Sequence, residues 1–290
     1  MAPRMEAGNP PMHATAVEQA LAAVVQRCNT GRLAQARQLC EALLAQAPGH
    51  PAVRQMLATV CLEQGQPEAA GEHIAHSLAA RPGHVPSLLL AARAAWRRGL
   101  PDEALRHARA AAALAPHDAQ AISLVGVLLL DGGDAAGAAD VLRPLVARQP
   151  ALPQAWYELG RAYRALGDPT RALQALEQAV QRQPALAPGW FALSLVQQDL
   201  QRLQEAQTSL QQVLVLQPGD VQACVNLGLV LQLQGQLDAA MQHYARAYAL
   251  QPDTFGRIAN ALCSEPHGRL WLDLAALRQA LAALSPAPAA

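Results

Sequence analysis

Prolines recur every 34 residues along most of this chain, and this period restricts the possible folds more than any other sequence feature. An alanine stands twelve residues before each proline, and a glycine stands seventeen residues before six of the seven. Gln201 replaces the glycine in the remaining case. The residues in phase are Pro48, Pro82, Pro116, Pro150, Pro184, Pro218 and Pro252; Ala36, Ala70, Ala104, Ala138, Ala172, Ala206 and Ala240; and Gly31, Gly65, Gly99, Gly133, Gly167 and Gly235.

This spacing predicts two helices per unit. About 13 residues precede each glycine, which is suited to end a helix because it adopts the left-handed backbone without strain. Pro67, Pro101 and Pro169 stand two residues after a glycine, where they fit the first position of a second helix. The recurrent alanine falls early in this second helix, where a small side chain lets the two helices cross closely. The unit is therefore helix A, a turn and helix B, and the closing proline ends helix B.

A helix–turn–helix unit of 34 residues resembles the tetratricopeptide repeat family. Repeat 5 carries the most signature residues, whereas repeats 1 to 3 are degenerate in helix A and have Ala20, Arg54 and Leu88 at the tryptophan position. The resemblance implies an all-α solenoid, a right-handed superhelix of repeats over 17–50, 51–84, 85–118, 119–152, 153–186, 187–220 and 221–254. The matching residues of repeat 5 are Trp156, Leu159, Gly160, Tyr163, Gly167, Ala172, Ala179 and Pro184, and repeat 7 keeps Leu227, Gly228, Gly235, Ala240, Tyr244, Ala247 and Pro252.

Three positions depart from the pattern. Gln201 should strain its turn by roughly 1 kcal/mol if its backbone stays left-handed. Pro144 falls inside helix B of repeat 4, and we expect it to bend the array there. Cys40 and Cys61 take positions where the family usually has aromatic core residues, and we expect buried thiols at both.

Composition agrees with an all-α chain and excludes several chemistries. Aromatic residues make up only 3%, while alanine and leucine, both strong helix formers, dominate the apolar residues. All 22 cationic side chains are arginines, so the sequence contains no lysine nucleophile and no phosphate-loop lysine.

The formal net charge of +0 argues against a nucleic-acid partner. This lysine-free, arginine- and alanine-rich usage suggests a bacterial chain from a GC-rich genome.

The two ends lack the repeat. Residues 1–16 carry no periodicity and are predicted to be disordered, and residues 285–290 are predicted to form a flexible tail. Residues 255–284 are predicted to form C-terminal capping helices, the last one capped by Asp273. Trp271 either packs over the end of repeat 7 or serves as a docking residue.

The sequence predicts a cytoplasmic protein without membrane insertion. The N-terminus has no apolar signal region, and the longest apolar stretch, residues 121–130, is too short to span a bilayer. The odd number of cysteines, five, does not suggest a disulfide framework.

A groove lined by helix A residues is the candidate binding surface. In the family, helix A lines the inner face of the array, and the inward positions of repeats 3, 5 and 6 hold arginines and aromatic residues. Guanidinium groups suit carboxylates, so the interpretation is a groove for an extended or helical peptide with acidic groups. The alternative is a solvated face on which the arginines pair with Glu158, Asp131 and Asp199. The candidate residues are Arg93, Trp96, Arg97, Tyr157, Arg161, Arg164 and Phe191.

No catalytic or metal-binding motif accompanies the repeats. The sequence lacks a GxSxG motif, an HExxH motif and a phosphate loop, and His73 and His76 have no obvious further ligands nearby. We therefore expect a non-enzymatic interaction scaffold that binds a protein or peptide and needs no cofactor. The alternative is a detached regulatory or substrate-presenting subunit of a modifying enzyme, such as a glycosyltransferase, sulfotransferase or oxygenase.

Overall fold

The computed structural model describes residues 14–264 and 273–284. These residues form sixteen α-helices and one short 3₁₀ helix, and the all-α prediction is confirmed for them. None of these helices combines the length and the apolar character that a membrane-spanning helix requires.

Helices A and B alternate along the chain with the predicted period. From the second repeat onward, each helix A has 13 residues, and each helix B has 14. The helices A are α1 (Ala14–Asn29), α3 (Pro51–Glu63), α5 (Val85–Arg97), α7 (Ala119–Asp131), α9 (Pro153–Ala165), α11 (Ala187–Asp199) and α13 (Val221–Leu233). The helices B are α2 (Leu33–Gln46), α4 (Pro67–Ala80), α6 (Pro101–Leu114), α8 (Ala135–Arg148), α10 (Pro169–Arg182), α12 (Leu203–Leu216) and α14 (Leu237–Leu250).

The recurrent residues occupy the places that the spacing predicts. The six glycines between helices A and B have φ between 72° and 86°, in the left-handed region. All seven recurrent alanines are fully buried, as close crossing of the two helices requires. Pro67, Pro101 and Pro169 begin α4, α6 and α10. Asp118, Asp168 and Asp220 cap α7, α10 and α13 by accepting hydrogen bonds from backbone amides in the first turn of each helix.

The structure divides into two compact units, the first ending at Val141 and the second beginning at Leu142. In the first unit, the core consists of aliphatic residues, alanines and the buried thiols of Cys40 and Cys61, as predicted. Burial raises the pKa of the Cys40 thiol to about 12, so this thiol stays neutral at ordinary pH. Pro144 lies inside α8, close to this division, and the bend expected from it stays a prediction.

In the second unit, the C-terminal helices continue the core of repeat 7. The 3₁₀ helix Pro252–Thr254 leads into α15 (Phe255–Ser264), and α16 spans Leu274–Leu284. Asp273 caps α16 by accepting a hydrogen bond from the amide of Ala275 at 2.8 Å, as predicted. Leu277 and Leu281 of α16 are fully buried in one cluster with Tyr244. This is the packing that a capping helix provides.

The ends of the chain differ in part from expectation. The first helix begins at Ala14, so residues 14–16 are helical although the sequence predicted disorder over 1–16. The prediction for residues 1–13, the predicted tail 285–290 and the alternatives for Trp271 lie outside the described residues.

Gln201 adopts the left-handed backbone of the glycines that it replaces, with φ of 59°. We expect Gln201→Gly to raise the free energy of unfolding by about 0.5–1 kcal/mol, because glycine removes the strain at a modest cost in unfolded-state entropy. Urea unfolding followed by circular dichroism measures the change. Gln234→Gly is the matched control, because Gln234 has an ordinary φ of −82° and glycine should destabilise the chain there. A loss of stability in Gln201→Gly would contradict the argument.

Candidate peptide-binding cleft

The predicted site residues lie on three helices A and in both units. Arg93, Trp96 and Arg97 belong to α5 in the first unit, whereas the others belong to α9 and α11 in the second. In α5, Arg93 and Arg97 are exposed and Trp96 is half-buried. Arg97 donates a hydrogen bond from Nη1 to the carbonyl of Leu62 at 2.8 Å, near the C-terminal end of α3. This contact ties repeat 3 to repeat 2, because the carbonyls at a helix C-terminus attract a cation.

In the second unit, the structure brings together Tyr157, Arg161, Arg164 and Phe191. They line a cleft of about 590 Å³ between the helices A of repeats 5 and 6, which we call the helix-A cleft. Its other lining residues come from the same two repeats and from the start of repeat 7: Ala165, Leu176, Ala187, Pro188, Ala192, Leu195, Asp199, Gln217, Asp220 and Gln222.

Arg161 is held by a buried carboxylate. Its Nη1 lies 2.8 Å from Oε2 of Glu158, one helical turn earlier, and the Glu158 side chain is only 5% exposed. Gln154 donates a second hydrogen bond from Nε2 to Oε1 of the same carboxylate at 2.9 Å. The Arg161 guanidinium also lies 5.8 Å from the centre of the Tyr157 ring, within the range of a cation–π contact. These contacts fix the position of the Arg161 side chain at the wall of the cleft.

The Arg164 side chain, which belongs to repeat 5, forms an ion pair with a residue of repeat 6. Its Nε lies 2.7 Å from Oδ2 of Asp199, the last residue of α11, and both side chains are about 40% exposed. Exposed ion pairs of this kind contribute at most about 1 kcal/mol, since solvent screens them. Arg164 can therefore exchange Asp199 for another carboxylate at little cost.

The opposite wall of the cleft is apolar. Phe191, Ala192 and Leu195 are partly buried residues of α11, and Pro188 lies in the first turn of the same helix. The cleft thus combines an aromatic and aliphatic wall with two guanidinium groups, each beside a carboxylate. The alternative pairing with Glu158 and Asp199 describes the charges correctly, but it does not account for the concave apolar wall.

The sequence did not identify three cleft residues at the junction of repeats 6 and 7, which are Gln217, Asp220 and Gln222. Asp220 caps α13 by accepting a hydrogen bond from the amide of Ala223 at 2.8 Å. Gln222 is the second residue of repeat 7. In the family this repeat position faces the inner side of the array, so the 34-residue repeat pattern could have identified Gln222 as a cleft residue. Gln217 stands directly before the recurrent Pro218, and repeats 4, 5 and 7 also have glutamine at this position, but this recurrence did not point to the cleft.

The described residues contain no group of three or more side chains arranged to hold a metal ion. His76 is exposed, but His73 is half-buried, with Nδ1 3.3 Å from Nη1 of Arg54. Burial, and after it the charge of Arg54, lower the pKa of His73, so this imidazole is neutral near pH 7.

Solved structures share this architecture at low sequence identity. A tetratricopeptide repeat protein from Parabacteroides merdae is 13% identical, with a TM-score of 0.66 over 86% of this chain and 99% of that chain. One chain in the crystal structure of the APC/C hetero-tetramer Cut9–Hcn1 is 18% identical, with a TM-score of 0.71 over 82% of this chain and 48% of that chain. YrrB, a tetratricopeptide repeat protein described as having an unusual peptide-binding site, is 20% identical, with a TM-score of 0.51 over 63% of this chain and 94% of that chain.

Family models agree with the structural likeness, although no curated protein matches the chain in sequence. One tetratricopeptide repeat model matches residues 30–76, and a second matches residues 89–153, 126–187 and 191–254, more than half of the chain. With its helix pairs of constant length and its recurrent glycine, alanine and proline, the chain belongs to the tetratricopeptide repeat family.

Proposed function

We propose that this chain is a non-enzymatic interaction scaffold that binds a peptide segment of a partner protein in the helix-A cleft. Tetratricopeptide repeat proteins serve as protein-interaction scaffolds, and the family is typically non-catalytic. The observation that carries the proposal is the cleft itself, in which the apolar wall of Phe191 and Leu195 faces the guanidinium groups of Arg161 and Arg164.

The chemistry of the two walls suggests which peptide fits. An apolar side chain of the peptide packs between Tyr157 and Phe191, where it leaves water. An acidic group two or three residues away pairs with Arg164 and displaces Asp199 from its exposed ion pair. Arg161 contributes less to this recognition, because the buried Glu158 already holds its guanidinium.

The two arginines require different test variants. Arg161→Glu would place a second carboxylate beside the buried Glu158 and disturb the fold, so a loss of binding in this variant would be ambiguous. Arg164 and Phe191 are partly exposed, and changes there leave the Glu158 contacts in place. Arg164→Glu and Phe191→Ala are therefore the informative substitutions.

A displayed library of random peptides, selected on the full chain, tests the proposal. We expect enriched peptides that combine an acidic and an apolar residue, and we expect Phe191→Ala and Arg164→Glu each to weaken their binding at least about tenfold. Isothermal titration calorimetry measures the affinities, and circular dichroism checks that both variants are folded.

The control variant is Arg109→Glu, which reverses an exposed arginine on α6 in the first unit. It makes the same change in net charge away from the cleft and should leave the affinity unchanged. Failure to enrich any peptide, or equal affinity of the selected peptides for all variants, would refute the proposal. The contribution of Arg93, Trp96 and Arg97 stays a prediction that the same titrations test with Trp96→Ala.

A further inference from the structure

Two further clefts of the second unit occupy the same repeat positions one repeat apart. The first, which we call the Trp156 cleft, has about 540 Å³ and lies between α8, α9 and α10. The second, the Trp190 cleft, has about 310 Å³ and lies between α10, α11 and α12. Each lining residue of the Trp190 cleft stands 34 residues after a lining residue of the Trp156 cleft, so the two clefts can be compared position by position.

The charged positions of the two clefts are inverted. Arg143 and Arg171 line the Trp156 cleft. Glu177 and Glu205 stand at the same two repeat positions in the Trp190 cleft. None of the described lining residues of the Trp190 cleft is cationic, so this cleft carries two carboxylates and no compensating charge of its own.

The two tryptophan rings are held alike, but only one of them has a cation beside it. Each indole donates a hydrogen bond from Nε1 to the carbonyl of the proline six residues earlier, at 2.9 Å. The Arg182 guanidinium lies 5.4 Å from the centre of the Trp156 ring, within the range of a cation–π contact. One repeat later Leu216 takes the place of Arg182, and no guanidinium of the described residues lies over the Trp190 ring. Trp190 is therefore a fixed, half-buried ring that lacks the cation of its counterpart.

Both carboxylates of the Trp190 cleft can receive a cation. Glu177 is half-buried, and its carboxylate forms no ion pair or hydrogen bond with any described residue. Glu205 pairs with Arg202 at 2.7 Å, but both side chains are 43% exposed, and solvent screens a pair of this kind so that it exchanges easily. A positively charged ligand would restore to Glu177 part of the stabilisation that burial removes.

Buried residues of the Trp190 cleft add hydrogen-bonding groups. Gln197 and Ser209 line the cleft and are only 4% and 2% exposed. Ser209 donates a hydrogen bond from Oγ to Oε1 of Gln197 at 2.8 Å. The Trp156 cleft has Tyr163 and Ala175 at these two positions. The exchange of an aromatic ring and a methyl group for a polar pair suits a ligand that forms hydrogen bonds.

These features together match the guanidinium group of an arginine. Its flat face stacks on an indole ring while the N–H groups at its edge donate to carboxylates, so one group satisfies Trp190, Glu177 and Glu205 at once. A lysine side chain offers a point charge without a plane that can stack. A cleft of about 310 Å³ is small, which suits a single side chain rather than a helix.

We propose that the Trp190 cleft binds an arginine side chain of a partner protein. The guanidinium lies on the Trp190 ring, in the role that Arg182 has beside Trp156, and pairs with Glu177 and Glu205. This site is separate from the helix-A cleft, which takes an acidic segment, and the two clefts share no lining residue.

Fluorine NMR of the full chain, labelled with 5-fluorotryptophan, tests the proposal. The sequence has only four tryptophans, and the variant Trp190→Phe identifies the Trp190 resonance. The probe is the tripeptide Gly-Arg-Gly, acetylated and amidated at its ends. We expect it to shift the Trp190 resonance with a dissociation constant on the order of 1 mM, as one stacked cation with two exposed ion pairs allows. The Trp156 resonance is the internal control and should stay in place.

Matched probes and variants separate the contributions of charge and shape. Citrulline in place of the probe's arginine keeps the shape without the charge and should weaken binding at least about tenfold, and lysine should weaken it about threefold. Glu177→Gln with Glu205→Gln should weaken binding of the arginine probe about tenfold. Glu68→Gln with Glu72→Gln makes the same change in net charge at exposed positions of α4 in the first unit and should leave the affinity unchanged.

Leu216→Arg gives repeat 6 the arginine that repeat 5 has and tests whether the tryptophan ring is the site. The new guanidinium should cover Trp190 as Arg182 covers Trp156, and it should weaken binding of the probe at least about fivefold. Leu216→Gln, which is polar and uncharged, should leave the affinity unchanged. Leu216 is 38% exposed, so both variants should fold, which circular dichroism checks.

An unmoved Trp190 resonance at up to about 20 mM of the arginine probe, or equal shifts at Trp156 and Trp190, would overturn the proposal. Equal affinity for the citrulline probe would also overturn it, and this comparison uses the unaltered chain, so it needs no variant to fold. A Trp190 resonance that moves with protein concentration alone would instead assign the cleft to a second copy. Phe191→Ala, which tests the helix-A cleft, should leave binding of the arginine probe intact, so the two proposals fail separately.

Discussion

Tyr244→Ala should lower the free energy of unfolding by about 3–5 kcal/mol, the usual cost of truncating a fully buried aromatic residue. Tyr244 is 0% exposed and packs in the core that joins repeats 6 and 7 to α15 and α16. Its hydroxyl donates a hydrogen bond to Oε1 of Gln232 at 3.0 Å, and Gln232 in turn donates from Nε2 to the carbonyl of Ala261 in α15 at 3.0 Å. Loss of the ring therefore opens a cavity and also loosens the link to the C-terminal helices.

Urea unfolding, followed by circular dichroism and by tryptophan fluorescence, measures this loss. Because repeat arrays can unfold in parts, the data need a model with coupled repeats. Tyr244→Phe is the matched control, which keeps the ring and removes only the hydroxyl, and it should cost about 1 kcal/mol. A loss below about 1 kcal/mol for Tyr244→Ala would show that the C-terminal core is not packed as described.

The sequence predicted the fold because each element of the repeat has a local physical cause. The left-handed glycines, the first-turn prolines and the small buried alanines act within a few residues of one another, so their spacing alone determines where helices begin and end. Even the exception, Gln201, keeps the left-handed backbone with φ of 59°, because the surrounding repeat imposes it.

The candidate site was predicted only in part, since side-chain partners depend on contacts between repeats. The 34-residue repeat pattern placed Tyr157, Arg161, Arg164 and Phe191 on one surface, and these four residues do line one cleft. It could not show that Glu158 is buried beneath Arg161 or that Asp199 is the carboxylate that Arg164 selects.

A compensation in size between two repeat positions explains the signature glycine of helix A. At the eighth residue of the repeat, Gly160 and Gly228 face large side chains at the twenty-fourth residue. A Cβ atom on Gly160 would lie 2.5 Å from Cγ of Leu176, and one on Gly228 would lie 2.5 Å from Cε1 of Tyr244. In four other repeats the same two positions hold different pairs, all of them buried: Val24 with Cys40, Ala58 with Ile74, Ala92 with Ala108, and Ser194 with Leu210.

In most of these pairs, a small residue at one position is therefore matched by a larger residue at the other, whereas in the pair Ala92 with Ala108 both residues are small. Where the eighth residue has no side chain, the twenty-fourth is a leucine or tyrosine, and where the eighth is a valine, the twenty-fourth is the small Cys40. This accounts for Cys40 at a position where the family usually has a larger residue. Packing at interior density requires such a balance, because neither a void nor an overlap is tolerated without cost.

Gly160→Val should accordingly destabilise the chain by about 2–3 kcal/mol, because the added methyl groups overlap Leu176 and force α9 and α10 apart. Adding Leu176→Cys reproduces the valine–cysteine pair of repeat 1 and should recover about half of the loss, which a double-mutant cycle in urea measures as a coupling energy. Ala92→Val is the control, because the small Ala108 occupies the twenty-fourth position of that repeat, and its cost should be clearly smaller. Equal losses for Gly160→Val with and without Leu176→Cys would mean that overlap with Leu176 does not set the spacing of the two helices.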